Sequence, residues 1–238
     1  MRLSFAKLSF MLVGIPACSY ASAIIIPAGL APGTEYRLVF VTATEYPATS
    51  GDIANYNNAV NGEADSVSAL NALGTTWLDI GSTDSVNAID NIGQDTGIPI
   101  YNLAGQLVAD DATTSTGGLF SGTLLGKIDV NELGATENAG VWTGSSSSGV
   151  ADDPLGGTDD RLGLTFTVSS LWISTLKLDA STTDLHLYAI SGILTVPDGP
   201  ATPEPSTAVM GFSGTALLLL ANYARKRSRV RAAGAPVE

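Results

Sequence analysis

Residues 110–160 are built from Gly, Ser, Thr and Asp, broken by the apolar islands Gly118-Leu119-Phe120-Ser121-Gly122 and Gly140-Val141-Trp142-Thr143-Gly144. A stretch of this kind sustains neither helical nor strand periodicity, so only its islands can enter a core. The chain must fold as a scaffold made elsewhere that carries long polar loops.

That scaffold is legible on either side of the loops. Within 35–42, Tyr36-Arg37-Leu38-Val39-Phe40-Val41 is rich in β-branched and aromatic residues and predicts a well-buried strand. Asp52 can cap a helix predicted over 52–73, in which Ile53, Tyr56, Val60, Ala64, Val67 and Leu70 recur at steps of three and four before Gly74. Gly62 weakens an unbroken helix. Trp77-Leu78-Asp79-Ile80 predicts a short strand, and 84–91 a smaller helix with Val86 and Ile89 inward. Residues 98–103 and 107–109 flank Ala104-Gly105-Gln106 as a hairpin with glycine at positive φ. Closing strands are expected at 162–168, around 171–178 and at 185–196, with Leu185, Leu187 and Ala189 on alternate positions. Strand, helix, helix, then many short strands and long loops is the order of an α+β fold, and 24–200 has the length of one domain.

Both ends of the chain differ from this middle. Arg2 and Lys7 precede an apolar stretch at 8–17, and Ala21-Ser22-Ala23 has small residues at the spacing a signal peptidase uses. A signal peptide over 1–23 follows, with Ala21 and Ala23 as the cleavage residues and Ile24 as the mature start. The only cysteine, Cys18, falls in the removed segment, so neither disulfides nor thiolate-bound metals are expected. At the other end, 207–224 is 18 residues long and uncharged. At ~1.5 Å per helical residue it reaches ~27 Å, near the bilayer hydrocarbon thickness, and predicts a transmembrane helix. Arg225, Lys226, Arg227 and Arg229 read as a stop-transfer cluster in a basic cytoplasmic tail over 225–238, which places 24–200 on the periplasmic side of the inner membrane. Within 24–200, four cations (Arg37, Lys127, Arg161, Lys177) stand against 21 Asp and Glu, a formal charge of −17. Nucleic acid and anionic lipid are repelled by such a domain.

Pro203, Glu204 and Pro205, in a linker at 201–206, stand directly before the apolar run. Pro-Glu-Pro, apolar run and basic cluster in this order resemble the PEP-CTERM sorting signal of Gram-negative bacteria. The resemblance implies recognition and processing by an integral-membrane exosortase and delivery to the cell surface or extracellular matrix. Separately, Gly97-Ile98-Pro99-Ile100-Tyr101-Asn102-Leu103, Leu119-Phe120-Ser121-Gly122 and Val141-Trp142-Thr143-Gly144-Ser145 resemble, in order and approximate spacing, landmarks of the endostatin module of non-fibrillar collagens. A helix before Trp77-Leu78 and a final strand at 185–192 are similar too. This resemblance implies a C-type lectin-like fold in which the first and last strands are adjacent. The module's disulfide cysteines, zinc-binding histidine cluster and arginine-rich heparin face have no counterpart here, so neither ligand is carried over.

The candidate chemistry is sparse. His186 is the only histidine, no G-x-S-x-G segment presents a serine to it, and no phosphate-cradling glycine motif with lysine exists. The best local constellation is Asp152-Asp153-Pro154-Leu155-Gly156-Gly157-Thr158-Asp159-Asp160, a turn that would gather Asp152, Asp153, Asp159 and Asp160 as hard oxygen ligands for Ca²⁺. Its spacing is not that of an EF-hand, and a solvated loop is the alternative. Trp77, Trp142 and Trp172 are suited either to stacking on sugars or, amid aliphatic neighbours, to filling the core. These features favour a non-catalytic binding domain over an enzyme, with extracellular polysaccharide or another surface component as its ligand. The alternative is an exported hydrolase acting on such polysaccharide through a carboxylate site.

Overall fold

A computed structural model describes residues 27–180 and 183–198, and their compact unit closes at Val196. The elements are β1 (Glu35–Val41), β2 (Tyr46–Pro47), α1 (Ile53–Ser66), α2 (Ser68–Asn71), β3 (Trp77–Asp79), α3 (Ala88–Ile92), β4 (Ile100–Asn102) and β5 (Leu107–Ala109). There follow β6 (Gly140–Trp142), β7 (Asp159–Leu164), a 3-10 turn (Ser170–Trp172), β8 (Lys177–Asp179), β9 (Asp184–Leu185), β10 (Tyr188–Ser191) and β11 (Leu194–Thr195). The main sheet has the order β3-β10-β1-β4-β5, with β11 also on β1; β1 and β4 are parallel and the other pairs antiparallel. A three-stranded sheet β6-β7-β8 and the small pair β2-β9 complete an α+β domain with mixed sheets.

β1 is the strand that everything else packs around, and it is buried from Tyr36 onward. It pairs with the end of the domain: Val39, Phe40 and Val41 face Ile190, Ala189 and Tyr188, while Glu35 and Tyr36 face Thr195 and Leu194. The expected adjacency of the first and last strands is thus observed. Because side chains alternate along a strand, Tyr36, Leu38 and Phe40 join Tyr56, Val60 and Ala64 of α1, Leu70, Trp77, Trp142 and Leu187 in one apolar layer. Val39 and Val41 point the other way, into a layer with α3, Val108, the island residues Leu119 and Phe120, Trp172, Tyr188 and Ile190. The 185–196 segment therefore does not keep one polar face. It breaks into β9, β10 and β11, and both faces of β10 are buried.

Arg37 sits on the second of these faces with only 2% exposure. Its Nε donates to the Ser191 carbonyl (2.7 Å), and its Nη1 to the Ile92 carbonyl (2.9 Å) and Asp95 Oδ2 (2.9 Å). One guanidinium so ties β1 to the end of β10 and to the C-terminal end of α3. Burial pulls its pKa down, and the Asp95 carboxylate opposes that.

The outer edge of β3 is closed by α1. Asn57 and Asn61 are one helical turn apart, ~6 Å along the axis, and β3 residues two apart are separated by ~6.6 Å. The two side-chain oxygens accordingly accept the Asp79 and Trp77 N–H groups at 2.8 and 3.0 Å. Asn91 donates to Asn57 Oδ1 (2.9 Å) and to the Asp79 carbonyl (2.8 Å), adding α3 to the same lock.

Several sequence-derived boundaries are corrected. The helix expected over 52–73 breaks at Val67, not at Gly62: Val67 is extended (φ −101°), and Ser66 Oγ and Asn71 Nδ2 take the Glu63 and Asp65 carbonyls. Such local side-chain bonds compete with the helical ladder. The second helix begins at Ala88 rather than 84, and β7 begins at Asp159 rather than 162. The segment around 171–178 divides into the 3-10 turn and β8. The transmembrane part of the expected architecture, and with it the inner-membrane anchorage, is also corrected. No helix among the described residues is long and apolar enough to cross a membrane; the longest, α1, has 14 residues, ~21 Å, and carries Glu63 and Asp65. The segments on which the terminal expectations were placed lie outside the described residues. These are 1–23 with Ala21 and Ala23, 201–206 with Pro203, Glu204 and Pro205, 207–224, and 225–238 with Arg225, Lys226, Arg227 and Arg229.

Replacing Arg37 by Met keeps the volume but leaves two buried carbonyls without a donor. Arg37→Met is expected to cost about 3 kcal/mol in a urea unfolding curve; a loss below about 1 kcal/mol would show that the three-way tie is dispensable.

Candidate functional site

The acidic turn does not gather its carboxylates. Asp160, fully buried on β7, accepts the N–H groups of Gly156 (3.1 Å) and Gly157 (3.0 Å), which fixes the turn from inside. Burial pushes its pKa up to about 6, the two N–H bonds pull it down, and the charges of Asp159 and Asp153 push it up. Asp152 and Asp153 are held instead by Arg161, whose Nη2 lies 2.9 and 2.5 Å from their carboxylates, and Lys177 reaches Asp153 at 3.2 Å. Asp159 is exposed. Asp153 adopts φ +49°, a strained value for a non-glycine residue, under the hold of these two cations. The positive charge in this turn is therefore supplied by the chain, and among the described residues no group of three or more His, Cys, Asp and Glu could hold a metal ion.

His186 lies at the junction of β9 and β10 and is 7% exposed. Its Nδ1–H donates to the Thr42 carbonyl at 2.6 Å, because a carbonyl only accepts. Its Nε2 stands 3.6 Å from Glu45 Oε1. The Thr42 hydroxyl accepts the Leu187 N–H at 2.9 Å, so histidine and threonine together fasten the end of β1 to the last strands. Among the described residues no serine hydroxyl partners the imidazole.

Two acidic residues went unremarked in the sequence. Glu132 is buried and accepts the Ala43 N–H at 2.9 Å; burial first, then the charges of Glu63 and Glu137, push its pKa up. Near it, Tyr46 donates to Glu63. Asp79 on β3 is fully buried, neither carboxylate oxygen is hydrogen-bonded among the described residues, and burial holds its pKa well above the usual aspartate range. A Cβ at Gly81 would fall 2.2 Å from Asp79 Oδ2, so the carboxyl is packed against the chain rather than facing a cavity. The signal for Asp79 was present: it shares a strand face with Trp77, where an acid conflicts with the apolar pattern.

All three tryptophans are core residues with 1% exposure or less. Phe40 meets Trp77 edge-on at 4.9 Å, and Trp172 lies between Phe120 (6.4 Å) and Tyr188 (5.7 Å). None is placed to stack on a sugar. A cleft of about 370 Å³ instead opens in the loop-rich region, lined by Thr114, Thr116, Gly117, Ser121, Thr123, Leu124 and Leu125.

Fold and site together define an α+β domain with mixed sheets and a cleft in its polar loops whose lining carries no charged side chain. No protein-family model matches the chain, and no curated protein matches it.

Two outcomes are expected. Millimolar Ca²⁺ against chelator shifts the thermal midpoint by less than about 1 °C, because Arg161 and Lys177 already hold Asp152 and Asp153. For Asp79, the folded protein keeps the proton to higher pH than the unfolded chain. The stability tied to this group is therefore complete below the ordinary aspartate range and is lost as pH rises through the raised folded value. Asp79→Asn, which cannot ionise, is expected to raise the midpoint at pH 7, by roughly 2–4 °C per kcal/mol recovered, and to leave it nearly unchanged at pH 4. Equal effects at both pH values would contradict a protonated Asp79.

Proposed function

We propose that this domain is a non-catalytic binding module whose ligand is a polysaccharide or a comparably hydroxyl-rich surface component. The observation that carries the reading is the cleft in the 114–125 loops: uncharged, lined by both hydroxyls and leucines, and hydrogen-bonded to the sheet edge. Ligand sites of roughly 300–1,000 Å³ combine apolar walls with a few placed polar groups, and loops on a fixed scaffold are where such sites gather. The catalytic alternatives lack assembly. His186 is committed to a main-chain carbonyl, and the Asp152, Asp153 and Asp160 carboxylates to arginine, lysine and backbone. The resemblance to endostatin supports a lectin-like reading in the same direction.

One observation favours a second reading, the hydrolase. Glu132 is a buried acid with a raised pKa, in the field of Glu63 and Glu137, a combination suited to a general acid.

The readings separate in one assay. Protein incubated with a neutral polysaccharide is expected to be retained on it without generating new reducing ends. New reducing ends that disappear in Glu132→Gln would replace the binding module with a hydrolase.

A further inference from the structure

We infer that the cleft formed by 114–117 and 121–125 is a subsite for one uncharged sugar unit of a polymer, with the Thr114, Thr116 and Thr123 hydroxyls on its polar edge and Leu125 under a ring face. The inference rests on the binding reading above and adds the place and the chemistry of recognition.

Hydroxyl use in this loop falls into two groups. Thr113 Oγ1 donates to Asp111 Oδ1 (2.6 Å) and accepts the Ser115 hydroxyl (2.5 Å), and Ser121 Oγ donates to the Thr123 carbonyl (3.1 Å). These hydroxyls build the loop. The Thr114, Thr116 and Thr123 hydroxyls, by contrast, make no hydrogen bond among the described residues, and all three are exposed on the lining of the cleft. Threonine is stiff at χ1, so directing such hydroxyls at a ligand costs little side-chain entropy.

The backbone that carries them is fixed. Asp110 N–H donates to Gly117 O (2.8 Å), Leu119 N–H to Asp111 O (2.8 Å) and Phe120 N–H to Thr113 O (2.9 Å). On the other wall, Leu124 N–H donates to Val168 O (2.7 Å) and Leu125 N–H to Val108 O (2.8 Å). Leu119, Phe120 and Leu124 anchor this frame in the core, whereas the Leu125 side chain is 52% exposed although its main chain is bound to the sheet edge. An apolar side chain held outward beside free hydroxyls matches a pyranose, which has a ring of hydroxyls and an apolar C–H face.

Other occupants fit less well. A purely apolar ligand would cover the three hydroxyls without partners, a desolvation cost. A cation finds no carboxylate in the lining. An acidic sugar would meet Asp110, whose carboxylate stands directly behind Gly117, in a domain that is strongly acidic overall.

The test is retention of the purified full-length chain on dextran, β-1,3-glucan and cellulose, with alginate as the anionic comparison. Thr116→Val with Thr123→Val removes two hydroxyls at constant shape, and Leu125→Asp places a charge under the ring. Each is expected to weaken retention on the preferred neutral polymer roughly tenfold or more, with an unchanged thermal midpoint showing that the variants fold. Titration of isotope-labelled protein with oligosaccharides of that polymer is expected to move amide resonances within 110–126. Retention of both variants at the parent level would overturn the subsite while polysaccharide binding stands. Failure of the parent to bind any of the three neutral polymers would overturn the binding reading itself, and preference for alginate would overturn the uncharged class.

Discussion

β1 has no water on either face, and that constraint organises the rest of the domain. A strand buried on both sides must satisfy every polar group from within, and β1 carries an arginine. Arg37 meets the requirement by spreading its donors over the Ser191 and Ile92 carbonyls and Asp95. Because those partners come from β10 and from α3 and the turn after it, one charge is satisfied at the points where two elements end, β10 at Ser191 and α3 at Ile92. Buried ion pairs are weak evidence of net stability; their better attested role is to make alternative arrangements costly. A register shift of β1 by one residue would move the guanidinium into the layer of Tyr36, Leu38 and Phe40, where α1 offers apolar side chains.

The sheet edges are handled with equal economy, and one of them leads to the candidate site. At β3, the Asn57 and Asn61 side chains replace a missing neighbouring strand. At β5, the loops do it: the Val108 carbonyl accepts Leu125 N–H, and a Cβ on Gly126 would lie 2.4 Å from the Leu107 carbonyl, so only glycine lets the loop approach so closely. Leu125 is thus both an edge cover and the apolar wall of the cleft. The same contact that protects an exposed strand from aggregation sets the 114–125 loops on the sheet.

Much of the scaffold was legible in the sequence because it obeys local rules. The 35–41 strand, the Asp52 cap, the hairpin at Gly105 (φ +79°) and the core role of the islands follow from pattern, capping and turn chemistry. The adjacency of first and last strands came from a resemblance rather than from periodicity, since pairing between distant segments leaves no local trace. What failed to be legible depended on distant partners. The acidic turn reads as a calcium cage only while Arg161 is left out of account; β7 begins early enough to include Arg161 and bury Asp160, and the Arg161 side chain lies on Asp152 and Asp153. The cleft was legible as composition but not as a place, because the free and committed hydroxyls between 113 and 123 differ only in three dimensions.

A chain whose sole cysteine is Cys18 must hold its long loops by other means, and a single device recurs. Asn102 Oδ1 accepts the N–H groups of residues 104 and 106, and Asn131 Oδ1 those of residues 133 and 135. Asp111 takes Thr113, and Asp160 takes Gly156 and Gly157. In each case a short polar side chain, itself buried, accepts donors that a disordered loop would leave to water. These Asp and Asn side chains serve as internal fastening. Loops fastened by their own side chains lose little freedom on meeting a ligand, and association is costly chiefly where groups must be ordered. A cleft on such a frame, with three threonine hydroxyls and an outward leucine, presents its groups without first having to order them.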